Sequence, residues 1–115
     1  MSLAMAVEQL RKDDRITNLR CAESEFQFVP KGFETTVRIR ICRSQESGRM
    51  QFRFETSHHT HTPLQASPFV VDPWERTAAA AAKRAVEGIL SYLEEARDKG
   101  FSAHDGWLVE NGYWR

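Results

Sequence analysis

Residues 72–100, DPWERTAAAAAKRAVEGILSYLEEARDKG, constrain the fold of this chain more than any other stretch. Asp72 is a good N-cap, because its carboxylate accepts hydrogen bonds from the first free backbone N–H groups. Pro73 stands where a missing N–H costs nothing, and Glu75 completes an approximate capping box beside the positive end of the helix dipole. At the far end Arg97 and Lys99 suit the negative end, and Gly100 supplies a left-handed closing residue. Between these signals Ala78, Ala82, Val86, Ile89, Leu93 and Ala96 recur at three- and four-residue spacing, which makes one buried face. The predicted helix, 73–99, is roughly 40 Å long at about 1.5 Å per residue. Its alanines at 78–82 allow close backbone approach, while Ile89, Leu90, Tyr92 and Leu93 supply the bulk. Gly88 is worse than alanine by ~1 kcal/mol at an interior position, so it marks a close contact or a bend.

Such a helix needs a greasy layer to cover, and residues 24–56 provide one. Phe26 and Phe28 alternate with Glu25 and Gln27, then Val37, Ile39 and Ile41 alternate with Thr36, Arg38 and Arg40. Met50, Phe52 and Phe54 repeat the pattern against Gln51, Arg53 and Glu55. Period-two alternation puts each apolar set on one side of a strand. Pro30-Lys31-Gly32 and residues 44–48 read as the turns between them. The expected fold is therefore α+β: a three- or four-stranded antiparallel meander under one long C-terminal helix, with a short N-terminal helix over 3–12. Residues 13–18 read as a polar connection. Phe69-Val70-Val71 reads as a short edge strand or the lead-in to the helix. Asn111-Gly112 is strong hairpin chemistry and predicts a small aromatic ribbon joining 107–109 to Tyr113 and Trp114.

The bulk properties fit a single domain over 1–115. The chain has 115 residues, 41% hydrophobic and 28% charged, as in ordinary globular proteins. Sixteen Lys+Arg balance sixteen Asp+Glu, so any polyanion contact needs a local patch. No apolar run approaches the ~20 residues that span a bilayer. The N-terminal stretch has its apolar patch and charges in the wrong order for a secretory signal, which points to a cytoplasmic protein. Cys21 and Cys42, without a CxxC pair, read as reduced thiols. The order helix, three strands, long helix resembles that of double-stranded RNA-binding domains. That resemblance implies a phosphate-gripping lysine cluster at the start of the last helix, where this chain has Asp72-Pro73-Trp74-Glu75-Arg76 and opens on an acid.

Three groups of residues are candidates for function. His58, His59 and His61 lie in a polar stretch, and two histidines two apart on an extended chain face one side, as a divalent metal requires. A metal is the one cofactor the chain suggests, for neither the two-histidine phosphoesterase nor the histidine-triad pattern is complete. No P-loop, nucleophile elbow or H-E-x-x-H occurs. Arg38, Arg40 and Arg53 share the outward face of the meander and could meet phosphates. Glu25, Glu34 and Glu55 are expected on that same face, where cross-strand pairing makes an ordinary solvated surface. Trp107, Tyr113 and Trp114, with Trp74, are residue types favoured in protein contacts, or else they seal the ends of the core. The reading is a non-enzymatic, self-associating binding domain whose partner is a second copy or another protein. The alternatives are a nucleic-acid module using the arginine face, and a metal-binding or enzymatic protein using the histidines. No membrane partner is expected.

Overall fold

A computed structural model describes residues 2–22, 25–46, 49–68 and 74–114. Its centre is the meander. Strands β1 (Ile16–Ala22), β2 (Glu25–Pro30), β3 (Val37–Glu46) and β4 (Arg49–Thr56) pair antiparallel in sequence order, and β4 takes a last partner, β6 (Trp74–Glu75). A separate two-stranded ribbon pairs β5 (His58–Thr60) with β7 (Leu108–Glu110). Helix α1 (Leu3–Leu10) packs on the long helix α2 (Ala78–Asp98), and α2 covers one face of the sheet. Phe26, Phe28, Val37, Ile39, Ile41 and Phe54 are buried on that face. They meet Ala82, Val86, Ile89, Leu93 and Ala96 of α2, with Val7 and Leu10 of α1, in one core cluster. No helix among the described residues is long and apolar enough to cross a membrane.

Among the described residues the sheet has five strands rather than three or four. The first addition is β1, which begins within the stretch 13–18 read as a polar connection and continues to Ala22. Its register with β2 slips between Thr17 and Arg20. That irregularity breaks the strict alternation by which a strand is recognised, since a one-residue shift exchanges the two faces. Ile16 and Leu19 still reach the core edge, and the Thr17 hydroxyl donates to the Val29 carbonyl at 2.9 Å. Arg15, just before β1, is held by Asp13, Glu87 and Glu94, so the entry to the sheet is tied to α2. β3 runs further than expected, through Glu46, which pairs with Arg49 at the expected start of β4. With five strands ahead of Trp74 among the described residues, the element order departs from that of double-stranded RNA-binding domains.

The long helix starts later than its apparent cap. Trp74 and Glu75 are extended and pair with Arg53 and Phe52, and Thr77 caps the helix by accepting from the Ala80 N–H at 3.1 Å. Asp72 and Pro73, like the predicted edge strand 69–71, lie outside the described residues. Arg84 fixes the new start, donating from Nη1 to the Trp74 carbonyl at 3.2 Å and to Glu75 at 3.1 Å. At the other end the expectation holds: Gly100, at φ 95°, adopts the left-handed conformation.

The aromatic tail does not close on itself. Leu108–Glu110 turn back to His58–Thr60 instead, after a short 3₁₀ turn over Asp105–Trp107. Asp105 anchors that turn: its Oδ1 accepts from the Glu34 and Thr35 N–H groups, both at 2.9 Å, and from the Thr35 hydroxyl at 2.7 Å. Glu34 therefore belongs to the loop before β3, not to the arginine-bearing face. Asn111 does open a tight turn, its carbonyl accepting from the Trp114 N–H and its Oδ1 from the Tyr113 N–H, both at 3.0 Å. The turn closes no ribbon, because residues 108–110 pair with β5, and the Asn111 N–H and Nδ2 donate to the Ser57 and Thr56 carbonyls, both at 2.9 Å. Cys42, half-buried in β3, is a free thiol.

Candidate functional site

Ser57 is the point at which the chain leaves the large sheet for the ribbon. Its N–H donates to the Arg38 carbonyl at 2.8 Å, as one more rung of the β3–β4 ladder. Its own carbonyl is taken by Asn111, so the Arg38 N–H turns to the Ser57 Oγ at 2.7 Å. Ser57 Oγ also lies 2.8 Å from Nδ1 of His58. With no other acceptor for the hydroxyl among the described residues, the network assigns Ser57 as donor to Nδ1. The proton of a neutral His58 ring is then on Nε2.

This crossing opens a cleft of about 280 Å³ beside the edge of β4. Ala85, Gly88 and Ile89 of α2 and Phe54 of β4 give it an apolar lining. Arg53, Glu55 and Thr56 follow along β4, His58, His59 and Thr60 along β5, and Asn111, Tyr113 and Trp114 form the C-terminal wall. Arg84 enters from the helix side. Tyr113 is 92% exposed and stands at the rim.

The charges around the cleft are largely paired. Glu55 accepts from Arg53 at 2.6 Å and from Arg40 at 3.4 Å, and Glu25 accepts from Arg38 at 2.7 Å and from Arg40 at 3.2 Å. Trp114 lies over this row, its ring 4.2 Å from the Arg40 guanidinium and 5.4 Å from that of Arg38. Such contacts are worth about 0.5–1 kcal/mol each at exposed sites, enough to hold a chain end in place. The four-residue segment 111–114 thus crosses from the ribbon to the outer face of the sheet.

Burial pushes both cleft histidines below their ordinary pKa. For His58 the effect is partly offset by Glu110, its partner on β7, and for His59 by a hydrogen bond with Asn111. Both rings are neutral at pH 7. The unfolded chain therefore takes up these protons first as pH falls through about 6.5, so their contribution to stability is complete above that pH and is lost toward the lower folded values. The urea midpoint is expected to fall between about pH 7 and pH 5, and the fall should shrink in a His58→Gln/His59→Gln variant. An unchanged slope in that variant would assign the pH dependence elsewhere.

Five of the sequence candidates, Arg53, His58, His59, Tyr113 and Trp114, line the same cleft. Arg38 and Arg40 lie beneath Trp114 on the outer face. Trp107 is buried against Phe33, with ring centroids 6.1 Å apart, so it seals the core. His61 does not line the cleft: β5 ends at Thr60, and the His61 N–H donates to the Trp107 carbonyl at 2.8 Å. Among the described residues no three His, Cys, Asp or Glu side chains converge as a metal site. Arg84, Ser57, Thr56 and Asn111 are site residues that spacing and motif do not mark as such. Only Asn111 carried a signal, and it pointed to a hairpin. Comparison with protein-family models, with curated proteins and with solved structures finds no match for this chain.

Proposed function

We propose that the chain is a binding domain without a catalytic step, and that its ligand occupies this cleft. The observation that carries the proposal is the meeting of Arg53, the two histidines and the aromatic tail around one apolar-lined cavity. Apolar lining with a few convergent polar groups is the usual composition of a small-molecule site. Ser57 supports a role without chemistry: it is buried and hydrogen-bonded to backbone and to His58, so it offers no nucleophile to the cleft. Amide shift mapping with a fragment mixture tests the reading. The expected result is perturbation concentrated at Thr56, His59, Gly88 and Asn111; no perturbation there, with binding elsewhere, would refute it.

Self-association is a second part of the proposal, supported by one observation, the 92% exposure of the Tyr113 side chain. A single-chain mass by light scattering at high concentration would remove it. A polyanion contact through Arg38, Arg40 and Arg53 has less support, because Glu25 and Glu55 already accept from all three.

A further inference from the structure

We infer that the ligand of this cleft is a small monoanion, an apolar or aromatic carboxylate, held by Arg53 and Arg84 over an apolar base. The inference rests on the binding role proposed above and adds the ligand's chemical class. Four features of the lining support it.

The first is the balance of charge. Two guanidiniums line the cleft against one carboxylate, Glu55. Both oxygens of Glu55 are engaged, one by Arg53 and one by Arg40, so it has little capacity left to repel or replace an incoming anion. The second is the number of donors still open. Among the described residues Arg84 uses only Nη1, toward Trp74 and Glu75, and Arg53 uses only Nη2, toward Glu55. Each retains N–H groups for a second acceptor, and planar guanidinium donors match a carboxylate better than any neutral group. The third is His58, whose Nδ1 is occupied by Ser57 and whose remaining ring N–H is a further donor in the lining. The fourth is the apolar part. Phe54, Ala85 and Ile89 offer nothing to a polar molecule but would bury a hydrocarbon or aryl body away from water. Arg53 is already paired with Glu55 and Arg84 with Glu75, so the site suits the single charge of a carboxylate better than a doubly charged group. A cavity of about 280 Å³ suits a compact molecule, not a polymer.

The test is isothermal titration calorimetry of the full chain at low salt with three probes of one shape: 2-naphthoate, 2-naphthamide and 2-naphthyl phosphate. The expected result is that naphthoate binds at least tenfold tighter than the amide and tighter than the phosphate ester. Arg53→Gln and Arg84→Gln should each reduce the naphthoate preference at least threefold. Because Arg84 also holds β6, the wild-type comparison decides the matter if that variant fails to fold. Equal or tighter binding of the amide, or tightest binding of the phosphate, would overturn the carboxylate class and leave the cleft as a binding site. Binding of none of the three would overturn both.

Discussion

Replacing Phe28 by alanine is expected to cost about 3–5 kcal/mol of folding stability, the largest effect of any single change in this chain. Phe28 is fully buried in β2, opposite Val37 of β3, on the face that α2 covers. Removing its ring loses the transfer energy of a large apolar side chain and leaves a cavity between sheet and helix. Strands on either side are fixed by their ladders, so the site collapses only partly. A domain of this size has total stability of roughly 5–15 kcal/mol, so the variant should be marginal or partly unfolded at room temperature. Urea denaturation followed by tryptophan fluorescence gives the number. A loss below about 1 kcal/mol would mean that the helix does not lie on this face.

Gly88→Leu should have the opposite effect on stability and abolish binding. Gly88 is in the interior of α2, where leucine is favoured over glycine by up to about 1 kcal/mol. It also lines the cleft, so a leucine there takes space that a ligand would occupy. The expected outcome is a raised Tm together with a more than tenfold loss of 2-naphthoate affinity. A lowered Tm would show that the position faces a packed neighbour. An unchanged affinity in a folded variant would remove the cleft as the site.

What the chain reveals before folding is what depends on neighbours in sequence. Phe26 and Phe28, then Val37, Ile39 and Ile41, alternate because one side of each strand is buried. The α2 face from Ala82 to Ala96 repeats at helical spacing for the same reason. The misses come from places where a distant partner decides. β1 carries no strand period because its register with β2 slips between Thr17 and Arg20. Trp74 and Glu75 look like the first turn of a helix, with Asp72 and Pro73 before them, yet pairing with β4 holds them extended. Asn111-Gly112 does turn the chain, but Leu108–Glu110 pair with the distant β5, so the turn closes no hairpin.

The same distinction explains the site. Arg53, His58, His59, Tyr113 and Trp114 were legible as unusual residues, since each type carries charge, a titratable ring or aromatic area. Their convergence was not legible, because it depends on β7 returning nearly fifty residues later to pair with β5. Arg84 had no signature at all: on an exposed helix face it is indistinguishable from a solvating cation until β6 lies beside it.

Everything said of the cleft requires that its C-terminal wall be built by β7 on β5. Cross-strand nuclear Overhauser contacts in the labelled protein measure this directly. Backbone contacts linking Thr60 to Leu108 and His58 to Glu110, with Trp114 ring protons near the Arg40 side chain, are the predicted result. Contacts joining Leu108 and Val109 to Tyr113 and Trp114 in a self-closed hairpin, with none to residues 58–60, would contradict it.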